Sequence, residues 1–217
     1  MPIRRILHLD CSPKPGSFSR RASALVMARL AVLHPEAEVL RRDLGLAPPP
    51  HVDAAFDMAM RMPAEARGPA DHAALALSEV LIGEIEATDA LVIGTPMHNY
   101  TVPSCLKAWL DHVVRPRRAF GFGPQGKFGL LVDRPGYIVT AAGGAHGGAG
   151  EQPDFLVPYL RAILATIGIR SVRVLSLQGT TRGGGDPMGE AAAWLDAVLP
   201  LTDAPATHPA PPPGLPA

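Results

Sequence analysis

GTPMHNYTVPSCLKAWLDHVVR, residues 94–115, is the stretch whose reading decides the fold. The run Ala90 to Ile93 that leads into it is short, apolar and rich in branched side chains, as a buried parallel strand requires. Gly94 and Pro96 are expected to stop that strand. Pro103 and Ser104 then open a helix, because Leu106, Leu110, Val113 and Val114 follow the i, i+4, i+7, i+8 spacing of one buried face. Between strand and helix lies a loop of mixed chemistry. Met97 and Tyr100 offer pliable or flat apolar surface, and Asn99 carries both a donor and an acceptor, which suits one edge of a planar heterocycle. The same residues would also serve a plain strand-to-helix turn, so the rest of the chain has to choose.

Upstream, His72 to Ala87 reads as a helix with Leu77, Leu81 and Ile85 at spacings of four. Asp53 to Gly68 is ambiguous: Met58, Met60 and Met62 suit either a packed helix face or an adaptable lid. Ala37 to Leu44 reads as a strand, preceded by a helix from Ser19 to about Leu33 that His34-Pro35 breaks. The first strand holds Ile6, Leu7 and Leu9 and ends in Asp10-Cys11-Ser12-Pro13; His8 within it reads as a sheet residue. Ser12, Ser17, Phe18 and Ser19 then border a strand-to-helix loop whose backbone N–H groups and helix dipole suit an anion. The loop has neither the G-x-x-x-x-G-K-[ST] nor the G-x-G-x-x-G pattern, which favours a monophosphate over a triphosphate or dinucleotide. Ordinary N-capping by Ser17 or Ser19 accounts for the same hydroxyls.

Downstream, Arg115 to Lys127 reads as a glycine-rich loop whose Phe120 and Phe122 either cap a core edge or wall a pocket. Tyr137 to Thr140 is a fourth strand after the turn Arg134-Pro135-Gly136. It runs into Ala141 to Gly150, where Gly143 and Gly144 would let backbone N–H groups approach a flat ligand and where His146 is a weak candidate contact or proton donor. Gly147 to Gly150 reads as a plain linker. Phe155 to Ile167 is an amphipathic helix ending at Gly168, Val172 to Leu177 a fifth strand, and Glu190 to Leu199 a closing helix. The expected architecture is α/β: a flavodoxin-like, doubly wound, five-stranded parallel sheet in the order 2-1-3-4-5, with helices on both faces. In such sheets ligands bind beyond the carboxyl ends of strands 1 and 3. The loops after strands 1, 3 and 4 therefore converge on one crevice.

The loop at Pro96, Met97, His98, Asn99 and Tyr100, followed by Pro-Ser-x-Leu-Lys-x-Trp-hydrophobic-Asp, closely resembles the flavin-binding segment of the FMN-dependent NADH:quinone oxidoreductases, the flavodoxin-like azoreductase family. The resemblance runs from about Arg5 to Leu199. It departs at His98, where the family usually carries Tyr, at Lys14 in place of Arg, and at Ala141 and Ala142 in place of Ser-Arg before Gly143 and Gly144. It implies FMN as cofactor, NADH or NADPH as donor, a quinone or azo compound as acceptor in a two-electron ping-pong sequence, and a homodimer with FMN near the interface. Phe155 to Leu164 and Pro103 to Val114 are the candidate interface surfaces, with Phe155, Tyr159 and Trp109 as their large residues. Two rivals stay open: a reductase that releases reduced flavin, and a flavodoxin-type electron carrier, against which the neutral charge weighs. A serine hydrolase lacks its G-x-S-x-G elbow.

At 217 residues and 47% apolar composition, the chain has material for one full α/β core, read here as residues 1–200 with a Pro/Ala-rich, disordered tail over 201–217. A formal charge of +0 with short basic clusters argues against nucleic acid. No run reaches the length needed to cross a bilayer, and the start of the chain lacks a signal peptide's pattern, so a cytoplasmic protein is expected. Cys11 and Cys105 stand outside any Cys-x-x-Cys, and the eight histidines form no zinc-type pair, so no metal is expected.

Overall fold

A computed structural model describes residues 2–181 and 185–201. The proposed tail from residue 202 onward lies outside them. Strands β1 (Arg5–Asp10), β2 (Glu38–Asp43), β3 (Ala90–Pro96), β6 (Gly136–Ala141) and β7 (Val172–Leu177) form one sheet in the order β2-β1-β3-β6-β7, all parallel. This is the 2-1-3-4-5 order expected of the five long strands. The central strands are apolar on both sides because helices cover both faces. On one face α1 (Phe18–Leu33) and α6 (Pro187–Val198) pack with Val26, Leu30, Val92 and Leu195. On the other, α3 (Pro69–Glu86), α4 (Ser104–Val113) and α5 (Leu156–Ile167) bury Leu81, Leu106, Trp109 and Leu160. The edge strand β2 is rich in charged residues, as edge strands that resist further pairing are, and the ion pairs Arg5–Glu38 and Arg42–Glu84 tie it to β1 and α3.

Two expectations need correcting, and the alternatives left open for Asp53 to Gly68 resolve to a helix. Gly94 and Pro96 do not stop β3, which pairs with β6 as far as Pro96–Ala141. The peptide N of Pro96 faces the side where β1 has already ended at the Asp10–Gly94 pair, so no ladder bond is lost. Gly94 instead makes room: a Cβ there would lie 2.5 Å from Ser23 Oγ, so its absence lets α1 press onto β3. Residues 115–127 are not merely a loop. β4 (Phe120–Gly123) and β5 (Gly126–Gly129) form an antiparallel hairpin, with the Phe128 ring lying where Gly121 has no side chain. Asp53 to Gly68 contains α2 (Ala54–Arg61), capped by Asp53 Oδ1 accepting from Phe56 N at 2.8 Å, then a short 3-10 turn. α2 is a packed helix at Phe56 and Ala59, while Met58 faces solvent.

Candidate functional site

β1, β3 and β6 are neighbours, and the loops that leave their carboxyl ends meet at the point where the strand order reverses. In the first loop Ser17 is the N-cap of α1, its Oγ accepting from Arg20 N at 3.4 Å, so the capping role is real. The hydroxyl of Ser19, fully buried, lies 3.3 Å from that of Ser17. Among the described residues the backbone N–H groups of Phe18 and Ser19 meet no acceptor, as expected at the start of a helix. Two hydroxyls and two free amides at the positive end of a helix of 16 residues fit a phosphate. Ser12 opens the same loop. It is buried, and its Oγ accepts from Lys14 N at 3.2 Å, which shapes the loop. The Phe18 ring is half-buried against the α1 core, with the Arg21 guanidinium 5.4 Å from its centroid.

The second loop is a tight reversal. His98 N donates to Thr101 O at 2.9 Å and Thr101 N to His98 O at 3.0 Å, with Asn99 and Tyr100 between them at φ of 49° and 69°. Two consecutive positive φ values are the requirement of a type I′ turn, which Asn tolerates and Tyr does not favour. The ring of Tyr100 stays 43% exposed, so the strained backbone is not compensated by deep burial of this side chain. Met97 is half-buried and packs on the core, Pro96 lies at the strand end, and His98 and Asn99 are exposed. A cleft of about 430 Å³ runs beside this loop, lined by Pro13, Pro48, Pro50, His98 and Ser104. Its Pro50 wall is anchored by His112, whose Nε2 lies 3.0 Å from the Pro50 carbonyl oxygen.

In the third loop the carbonyls of Ala142, Gly143 and Gly144 are occupied, while two of the amides are not. Thr180 Oγ1 donates to Ala142 O at 3.0 Å, Thr181 Oγ1 to Gly143 O at 2.8 Å, and Gly179 N to Gly144 O at 3.3 Å. Among the described residues the N–H groups of Gly143 and Gly144 have no acceptor. A stretch fixed through its carbonyls and open through its amides fits the carbonyl edge of a flavin. Thr180 and Thr181 hold this loop in place, which the sequence reading missed; a Thr-Thr pair just past a strand's carboxyl end was the available signal. His146 is buried, with Nε2 3.3 Å from Ser176 Oγ on β7 and Nδ1 3.7 Å from Asp154 Oδ2, just before α5.

Phe120 and Phe122 are not part of this crevice in one chain. Phe120 is buried, Phe122 is 63% exposed, and both border a groove of about 340 Å³ with Phe56, Leu110, Tyr159 and Ile163, on the α4–α5 side. Trp109 is wholly buried in the core and offers no interface surface, whereas Phe155 is 60% exposed. Burial pushes the Cys11 thiol well above its ordinary pKa and raises that of Cys105, so neither supplies a thiolate nucleophile. Among the described residues no cluster of His, Cys, Asp and Glu could hold a metal, and no helix is long and apolar enough to cross a membrane.

The family model described as a flavodoxin-like fold matches residues 4–199. FMN-dependent NADH:quinone oxidoreductase 2 of Cupriavidus pinatubonensis is 50% identical over 181 residues, spanning 82% of this chain and 88% of that protein. FMN-dependent NADH:quinone oxidoreductase 4 of Pseudomonas fluorescens is 40% identical over 183 residues, spanning 83% of this chain and 87% of that one. Among solved structures, a Bacillus anthracis FMN-dependent NADH-azoreductase in complex with FMN superposes with a TM-score of 0.73 at 20% identity, covering 87% of this chain and 92% of its own. At that identity the likeness speaks for the fold.

Proposed function

This chain belongs to the FMN-dependent NADH:quinone oxidoreductases, and from that premise we propose that it reduces quinones or azo compounds with electrons from NADH or NADPH. The observation that carries the reading is that the loops after three adjacent strands each leave hydrogen-bond donors or strained backbone at the same end of the sheet. When bound, FMN would supply the two-electron redox chemistry that links the nicotinamide donor to the acceptor. The chain's own residues bind, orient and exclude water. Ser17, Ser19 and the amides of Phe18 and Ser19 take the phosphate. Met97 and Tyr100 give apolar surface to the ring, Asn99 offers polar contacts at its edge, and the amides of Gly143 and Gly144 donate to its carbonyl oxygens. With the Ala141 and Ala142 side chains carrying no donor, that edge is left to backbone alone.

A homodimer completes the proposal. The exposed Phe122 and Phe155 and the groove by Tyr159 form apolar surface that a second copy of the chain would cover, and flat apolar substrates need such walls. A cytoplasmic setting agrees with the two unpaired cysteines. The direct test is flavin uptake. Full-length protein mixed with FMN should keep the flavin absorbance through gel filtration, and a protein that stays colourless would overturn the proposal.

A further inference from the structure

The guanidinium of Arg20 is 9% exposed and all of its polar atoms have partners inside the fold. Nε and Nη2 both donate to the carbonyl oxygen of Ser12, at 2.8 and 2.5 Å. Nη1 and Nη2 donate to the two oxygens of Asp43 at the end of β2, at 2.7 and 2.5 Å, and the Asp10 carboxylate lies 3.5 Å away. The backbone N–H of the same residue donates to Ser17 Oγ. Arg20 thus grips both ends of the loop after β1, Ser12 through its side chain and Ser17 through its main chain. Gly45 closes the arrangement from the other side: its N–H donates to Asp10 O at 3.0 Å, and a Cβ on it would overlap the Ser12 carbonyl. The hydrogen bond to Arg20 holds Asp43 below the ordinary carboxylate pKa, and the one to Asp43 raises that of Arg20, so both are charged at neutral pH.

We infer that Arg20, held by Asp43, is a positioning residue that sets the phosphate loop in its binding shape before FMN arrives. It rests on the assignment of that loop to the phosphate. Its planar fork is committed to Ser12 and Asp43, so it acts through the loop and not as a ligand. Pre-ordering a loop removes an entropic cost from binding, and Arg20 also neutralises Asp43, while Asp10 is paired with Arg41 at 2.6 Å, so neither carboxylate is left to repel an anion nearby. A lysine, with one point charge, cannot span the Ser12 carbonyl and both oxygens of Asp43.

The test compares FMN with riboflavin, which has the ring and ribityl chain but no phosphate. Dissociation constants for both ligands are measured by fluorescence titration with full-length wild type, Arg20→Lys, Arg20→Gln, Asp43→Asn and the double variant Ser17→Ala/Ser19→Ala. The inference expects FMN affinity to fall by about tenfold or more in Arg20→Gln and to a smaller degree in Arg20→Lys and Asp43→Asn, with riboflavin affinity unchanged. FMN affinity unchanged in Arg20→Gln, or FMN and riboflavin weakened equally, overturns it. Should Arg20→Gln fail to fold, Asp43→Asn is judged by the same criteria. The serine double variant separates the premise. If it leaves FMN affinity unchanged the phosphate assignment fails, whereas if it weakens FMN while the Arg20 and Asp43 variants do not, only the positioning role fails.

Discussion

Tyr100 shows how chemistry and backbone cost meet at a single residue. It holds φ at 69° beside Asn99 at 49°, in a turn whose two central positions favour Asn and Gly. A left-handed conformation costs a residue with a side chain roughly 1–2 kcal/mol. Since the ring is 43% exposed, replacement by Gly should lose little packing. Tyr100→Gly is therefore expected to raise the stability of the FMN-free protein by about 1 kcal/mol in chemical denaturation while weakening the hold on FMN. A lower stability would show that the ring's contacts outweigh the strain. Residues such as Ser17, Asn99, Gly143 and Gly144 were legible because their chemistry sits in the loop that uses it. Arg20, Gly45, Thr180 and Thr181 were not, because each acts on a loop remote in sequence, and nothing near Arg20 in the chain indicates a grip on Ser12 and Asp43.

The elements owe their placement to close approaches as much as to periodicity. Gly94 is the clearest case. A methyl group there would meet Ser23 Oγ at 2.5 Å and the Ser19 carbonyl oxygen at 3.0 Å, within the helix whose first turn forms the phosphate cradle. Gly94→Ala should cost about 1–3 kcal/mol of stability through overpacking, and it should also weaken FMN binding by lifting the start of α1. Urea denaturation with an FMN titration checks both, and an unperturbed variant would mean that Ser23 can turn aside without cost. At this scale the five long strands and the helices with a clear apolar stripe are legible from periodicity. The β4–β5 hairpin is not, because its strands are short and half glycine, so that neither alternation nor branched residues mark them. α3 and α6 begin earlier than their stripes suggest. Pro69 and Pro187 start them, with Asp71 accepting from Gly68 N at 2.9 Å and Asp186 capping Gly189 at 2.9 Å, signals that depend on caps and not on hydrophobicity.

For the whole molecule, the crevice lies at the switch point of the sheet; the exposed Phe155 adjoins it, its N–H donating to Tyr100 O at 3.1 Å, and the exposed Phe122 lies on the hairpin. Exposed apolar surface next to the site loop is what a second copy completing the site would cover. Activity per subunit and FMN retention should then fall together when the protein is diluted through its dissociation range. A protein that sediments as a monomer at every concentration with full activity would show that one chain closes its own pocket. Sequence reading placed Trp109 on that surface because a large aromatic at helical spacing has the same signature whether it covers the sheet or a partner. Burial alone decides, and Trp109 is at 0%. The central claim is that FMN, held in the crevice of β1, β3 and β6, exchanges electrons with two substrates in turn. Anaerobic stopped-flow mixing tests it most directly. NADH or NADPH alone should bleach the flavin absorbance of the FMN-loaded protein within the turnover time, and a later addition of quinone should restore it. Nicotinamide oxidation that occurs only when quinone is already bound would contradict the account.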